Sequence, residues 1–339
     1  MRPKPKYEVC FWVIRLATLY VLLNFSLPTI AQSPELGVGS FDKFEFALIG
    51  DVPYNKDDLD KFDRLIHGVN ADSRLEWVLH AGDIKNGISI CSDRMFIDRL
   101  QRFQQFKIPF ILTLGDNEWT DCHRFLSGSY NPLERLARLR ELFYANPGKS
   151  IGQKTIAVQT QADDRNLPEF VENVRWRKNH VVFVTVHIVG SNNGWAHFST
   201  RTEADDNEVK RRTGAASAWI RQAFEEARQT NARGIFILFH ANPGFEFVKG
   251  SHARLGFDEI IELLENESAQ YSKPILLAHG DSHRFRVDKP LRSHSNQTIN
   301  HVTRVETFGS SNVHWIRIAV DPLSDEVFSI QKQIIKKNR

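Results

Sequence analysis

Residues 44–54, FEFALIGDVPY, carry an apolar run straight into Gly50-Asp51, and four later apolar runs likewise end in a carboxylate or an imidazole, three of them in Gly-Asp. These are WVLHAGDIKNG at 77–87, PFILTLGDNEW at 109–119, IFILFHANP at 235–243 and ILLAHGDSH at 275–283. Short apolar runs bounded by turn residues read as buried strands. The first three follow one another at the roughly thirty-residue spacing of strand–helix–strand units, so they are expected to lie parallel. In open α/β sheets the carboxyl ends of parallel strands share one edge, and ligands bind there. Asp51, Asp83, Asp116, His240, Asp281 and His283 are therefore expected to converge. Any single Gly-Asp after a strand reads equally well as a turn with an Asx hydrogen bond. All of them together need counter-charge, and bound cations are the usual source.

Between the runs lie helical stripes. Leu133, Leu136, Leu139, Leu142 and Phe143 share one helix face, as do Trp219, Ile220 and Phe224, and then Phe257, Ile260, Ile261 and Leu264. The alternation points to an α/β domain or a layered α/β/β/α one. Asn173–Gly190 reads as a hairpin turning at Lys178-Asn179. The tail from Thr303 to Ile335 adds further strands, expected to be antiparallel and to form a second sheet. No internal repeat or low-complexity linker divides the chain.

The blocks resemble, in order, the motifs of the calcineurin-like metallophosphoesterase superfamily, which includes the purple acid phosphatases. That pattern runs Asp-x-His, Gly-Asp-x-x-Asp, Gly-Asn-His-Asp/Glu, a lone His, then Gly-His-x-His. The resemblance implies a four-layer α/β/β/α sandwich with mixed sheets and the metal site at the strand carboxyl ends. It further implies two metal ions, in-line attack on phosphorus by a hydroxide they hold, and a small-molecule phosphoester as substrate. Position by position, Asp51 and His283 resemble ligands of the first metal and Asp83 the bridging carboxylate. Asp116 stands where the family has Asn and Asp281 where it has His; with His240 they resemble the second metal's ligands. Pro53 replaces a ligand His, with Tyr54 beside it, Asn86 replaces a supporting Asp, and Asn117 replaces the catalytic His. An amide cannot act as a general acid, so His123, His80 and, more remotely, His187 are the alternative proton donors, and His279 reads as a supporting or core residue. Lys85, Arg124 and Arg284 are candidates to attract the substrate phosphate. Four aspartates against two divalent ions make a near-neutral centre, which favours Mn or Fe over Zn. The alternative is a protein of the same fold that binds metal or ligand without turnover.

The N-terminus changes the charge count. Arg2, Lys4 and Lys6, an apolar stretch from Phe11 to Leu27 and the small-residue end Thr29-Ile30-Ala31 read as a signal peptide over 1–31. A lead-in over 32–43 and a phosphoesterase-like domain over 44–339 follow, in the periplasm or outside the cell. The formal charge of +3 belongs largely to the leader, which holds Arg2, Lys4, Lys6 and Arg15 against Glu8. Basic and acidic residues balance in the remainder, giving no argument for nucleic-acid binding, and a cleaved leader leaves no stable membrane insertion. Removing the leader also removes Cys10, leaving Cys91 and Cys122 as a pair in an oxidising compartment. Each follows an aspartate of the site by a few residues, so their bond would brace two site loops.

Overall fold

The first sheet is nucleated by the quoted runs. β2 (Phe44–Ile49) follows the two-residue β1 (Glu35–Leu36) and leads through α1 (Lys56–Asn70) to β3 (Leu75–His80); α2 (Asp93–Phe103) then leads to β4 (Phe110–Leu112). The computed structural model describes residues 1, 3–4 and 32–338, so the leader expected over 1–31 lies, but for three residues, outside the described residues. The helices start where side chains can satisfy their free amides. Asn55 accepts from the Asp58 amide at the head of α1, and Ser92 from Met95 at the head of α2. Asn131 caps α3 (Pro132–Phe143), which has Pro in its first turn.

The second half contributes β5 (Gln159–Thr160), β6 (Val174–Lys178), β7 (Val181–Thr185), a single irregular turn α4 (Gly190–Asn193), α5 (Glu203–Gln229), β8 (Gly234–Leu238), α6 (Asp258–Gln270), β9 (Ile275–His279), β10 (Arg286–Asp288), β11 (Val302–Glu306), β12 (Trp315–Val320) and β13 (Phe328–Gln333). The strands form two mixed sheets, one in the order β13-β12-β2-β3-β4, the other in the order β1-β6-β7-β8-β9-β11-β10 with β5 on β6. β2, β3 and β4 are parallel, as are β7, β8, β9 and β11.

Two expectations are corrected here. The hairpin turns one residue later than predicted, at Asn179-His180, both with positive φ, and Lys178 pairs with Val181. This is the twist a two-residue hairpin loop prefers. The tail does not build a sheet of its own. β11 joins the second sheet parallel to β9, whereas β12 crosses to the first sheet and pairs antiparallel to β2, with β13 outside it. Sequence periodicity reports which face of a strand is buried, not which neighbour buries it.

The two sheets pack face to face around Phe46, Trp77, Trp176, Phe183, Phe236, Leu276 and Ile316. α1, α2 and α3 cover the outer face of the first sheet, and α5 and α6 that of the second. The result is the four-layer α/β/β/α sandwich expected from the motifs. Among the described residues, no helix is long and apolar enough to cross a membrane.

Candidate metal centre

Every quoted block ends at the same edge of the sandwich. Asp51 follows β2, Asp83 follows β3, Asp116 follows β4, His240 follows β8, and Asp281 and His283 follow β9. Asp51, Asp83, Asp281 and His283 all have positive φ, between 55° and 79°. Non-glycine residues avoid that region, at a cost of about 1–2 kcal/mol each. Such strain persists where the surrounding structure enforces a side-chain direction, and it concentrates at functional sites.

The enforcement is visible in the backbone. The Asp51 amide donates to the Gly82 carbonyl at 2.9 Å, and the Asp281 amide donates to Asp51 Oδ1 at 2.9 Å. Two glycines permit the close approach: a Cβ on Gly115 would stand 2.1 Å from Asp83 Oδ1, and one on Gly280 would stand 2.3 Å from Asp51 Oδ2.

Two overlapping groups of ligand atoms result, Asp51–Asp83–His240 and Asp116–His240–Asp281, with the atoms of each within 4.8 Å of one another. His240 is the common member. Its Nδ1 lies 2.7 Å from the Ala81 carbonyl, which fixes a proton there. Nε2 then faces Asp116 Oδ1 at 3.0 Å and Asp83 Oδ1 at 3.3 Å. A backbone-pinned Nδ1–H is the usual orientation of a ligating imidazole. His283 is arranged likewise: Nδ1 meets the Ser310 carbonyl at 3.0 Å, and Nε2 points to the Tyr54 hydroxyl at 3.0 Å and Asp51 Oδ1 at 3.6 Å.

Burial raises the Asp51 carboxyl to about 8, against the pull of His240 and with a further push from Asp281. Burial also raises Asp83 well above the usual carboxylate range; His240 opposes this and Asp116 adds to it. His240 is pushed the other way: burial disfavours its charge, but Asp83, Asp116, Asp281 and Asp51 raise it well above the ordinary imidazole range. Among the described residues, no lysine or arginine forms an ion pair with Asp51, Asp83, Asp116 or Asp281. Four carboxylates that share one imidazole as their close cationic partner are a donor set that fits a metal cation.

Several sequence-predicted residues do something else. His80 is no proton donor, because its ring nitrogens meet the Val52 carbonyl at 2.8 Å and the Gly82 amide at 3.1 Å, and burial lowers it to about 4. His123 binds the Thr120 carbonyl at 2.7 Å and stacks on Phe198; among the described residues no hydrogen bond ties it to the aspartates. His187 pairs with buried Glu172 at 2.8 Å, and His279 stacks on Phe239 in the core. Lys85 does not face solvent to meet a phosphate: it is fully buried and donates to the Asn117 carbonyl at 2.6 Å. Arg124 is half exposed and pairs with Asp121 at 2.7 Å, and Arg284 is exposed beside His283.

Tyr54, beside Pro53, reaches the site as a hydrogen-bond donor, one of the roles open to it from the sequence, and Asn117 stands with it; Ser191, Thr307 and Asn242 are side chains and amides that the motifs did not mark. Tyr54 places its hydroxyl 2.8 Å from Asp83 Oδ2 and 3.2 Å from Asn117 Nδ2, and the Asn117 amide nitrogen also reaches Asp83 Oδ2. Ser191 donates to Asp116 Oδ2 at 2.8 Å, Thr307 to Asp51 Oδ2 at 3.1 Å and the Asn242 amide to Asp281 Oδ2 at 2.8 Å. Ser191 and Thr307 follow β7 and β11, strands whose ends carry no Gly-Asp to mark them.

Cys91 and Cys122 form a disulfide with 5.8 Å between their Cα atoms. It joins the loop after Asp83 to the loop after Asp116. With the two cysteines 31 positions apart in sequence, chain-entropy arguments give the bond about 3–4 kcal/mol. The Cys91→Ser/Cys122→Ser variant is expected to unfold that much more easily in a urea titration; an unchanged midpoint would deny the brace a stabilising role.

The calcineurin-like phosphoesterase family matches residues 44–285. Among curated proteins none matches the chain. Solved structures with a similar fold include GAP50, the anchor in the inner membrane complex of Plasmodium, with 12% identity over 87% of this chain and 89% of that one and a TM-score of 0.48. Another is the 5′-nucleotidase from Candida albicans, with 12% identity over 90% of this chain and 53% of that one and a TM-score of 0.41. TT1561 of Thermus thermophilus has 10% identity over 86% and 99%, with a TM-score of 0.42.

Proposed function

We propose, because the chain belongs to the calcineurin-like phosphoesterase family, that it is an exported hydrolase of small phosphate esters that works with two metal ions. The observation that carries this reading is the convergence of four aspartates, three of them buried, around the oriented ring of His240. Asp51 and His283 would hold one ion, Asp116, His240 and Asp281 the other, with Asp83 between them. Cations bound there would polarise a phosphoryl oxygen and supply a nucleophile at neutral pH. Four carboxylates against two divalent charges favour Mn or Fe over Zn.

The protein's own groups set the rest. Asn117 holds both oxygens of Asp83, one through its backbone amide at 3.0 Å, the other through its side chain. With Asn117 in place of the family histidine, the Tyr54 hydroxyl is the proton-bearing side chain on Asp83 and His283. Export is supported by the basic, apolar and small-residue order of 1–31. The disulfide suits the periplasm or the cell exterior.

A second reading, metal or ligand binding without turnover, is favoured by one observation: Tyr54 bonds to Asp83 and His283 beside Pro53, where a ligand histidine is expected. One experiment separates the two. Protein stripped with chelator and resupplied with Mn²⁺ or Fe²⁺ is expected to take up about two ions per chain and to hydrolyse p-nitrophenyl phosphate and its diester. Hydrolysis that persists in chelator overturns the metal mechanism; metal uptake with no hydrolysis leaves the second reading.

A further inference from the structure

Eight of the fourteen exposed large apolar side chains among the described residues lie on loops that follow β3, β4, β7 and β8, at the edge that carries the aspartates. Four of them gather on the two loops joined by the disulfide: Ile88, Ile90, Phe125 and Leu126, with Phe125 86% and Leu126 59% exposed. The loops are stitched together. The Cys91 amide donates to the Ser127 carbonyl at 2.9 Å, Ser127 Oγ donates to the Gly87 carbonyl at 2.9 Å, and a Cβ on Gly128 would stand 3.3 Å from Ile90 Cγ2. Pinned in this way, the four side chains cannot fold inward to escape water.

The patch adjoins the metal centre. Gly87, next to Ile88, lies between the Asn117 side chain and the Arg124 guanidinium: a Cβ there would be 2.7 Å from Asn117 Oδ1 and 3.1 Å from Arg124 Nη1. Asn117 in turn holds Asp83. From the centre outward the order is thus carboxylates, an amide, a half-exposed guanidinium, then apolar surface beginning one residue beyond Arg124. Exposed apolar clusters of this kind mark binding surfaces. Arg124, half exposed and paired with Asp121, is followed directly in the chain by the exposed Phe125 and Leu126.

We propose that the substrates are phosphoesters of long-chain alcohols: the phosphate enters the metal centre past Arg124, and the chain lies on Ile88, Ile90, Phe125 and Leu126. This rests on the hydrolase reading above. The reaction exchanges one P–O bond for another. Water oxygen bonds to phosphorus, the P–O(alkyl) bond breaks, and the proton lost by water ends on the alcohol.

The test is the dependence of kcat/KM on chain length for monoalkyl phosphates below their aggregation limit, using the metal-loaded full chain. Each methylene laid on the patch is expected to raise kcat/KM up to about fourfold, the ratio that about 0.8 kcal/mol per buried CH₂ gives. Phe125→Ser/Leu126→Ser flattens the slope, while Leu323→Ser, exposed on the loop between β12 and β13, retains it. A wild-type slope of zero, or an equal slope in the double variant, overturns the proposal. Sedimentation velocity on the same proteins reads the competing occupant: a wild-type dimer that the double variant dissolves makes the patch a contact between copies and overturns it too. Absence of hydrolysis with every ester sinks the hydrolase reading instead. In that case the proposal is judged by partition onto phosphatidylcholine vesicles carrying a long-chain monoalkyl phosphate, which the double variant must weaken by about tenfold and without which the proposal falls.

Discussion

Asp83→Asn is expected to act in opposite directions on the metal-free and metal-loaded protein. Without metal, Asp83 is a buried carboxyl whose ionisation is opposed by burial and by Asp116, Glu118 and Asp51. An amide of the same shape removes that repulsion and still accepts from the Asn117 backbone, now 3.0 Å from Oδ1. The stripped variant should therefore melt no lower than the stripped parent. With metal, the parent gains about 3–4 kcal/mol when the ion stands at 100 to 1,000 times its dissociation constant. In a chain of this size that is roughly 5–10 °C. The variant should lose this gain, and hydrolysis should fall by more than about 100-fold, beyond what removal of a supporting hydrogen bond costs. Paired thermal melts with and without Mn²⁺, beside rate and metal content, check all of this. A stripped variant that melts far below the stripped parent would make Asp83 a structural residue, and a retained metal shift would remove it from the site.

The convergence of Asp51, Asp83, Asp116, His240, Asp281 and His283 could be read from sequence because each sits immediately after a buried apolar run. Parallel strands place such positions on one edge whatever the loops do. The roles of Lys85 and His80 could not be read that way. Both lie next to the motif, but whether a side chain at a strand end points into the cleft or under a loop depends on the local φ and on what packs over it. Lys85 is covered by the loop bearing Asn117, and His80 points into the α-helical layer beside Phe103 and Phe110. Tyr54 was legible as a ligand, a hydrogen-bond donor or a packed aromatic, and only the folded geometry, with its hydroxyl 2.8 Å from Asp83 Oδ2, decides for the donor. The pairing of β12 with β2 escaped for a related reason. The strand pattern of 315–320 fits either sheet, and only the match of Ile316 and Ile318 to Leu48 and Phe46 decides between them.

The lead-in over 32–43 likewise hides a structural element, and it gives the second large effect. Ser33 is buried and donates to Glu226 Oε1 twice, through its amide at 2.9 Å and its hydroxyl at 2.6 Å, while β1 pairs parallel with β6. The same carboxylate meets Arg177 Nε at 3.1 Å and, through Oε2, Arg175 Nε at 2.6 Å. Arg175 is fully buried against the Trp219 ring. Glu226→Ala would leave the Arg175 charge buried without its carboxylate, a change that costs about 3–5 kcal/mol. It would also free residues 32–36, which the proposed cleavage after Ala31 makes the start of the mature chain. The expected result is a large drop in the urea midpoint together with early protease cuts near residue 36. The double variant Arg175→Met/Glu226→Leu should recover much of the midpoint, since an apolar pair needs no partner, but not the resistance to cutting, since Ser33 still lacks its acceptor. A single variant with full stability and an uncut N-terminus would show that the carboxylate holds neither the arginines nor the leading strand.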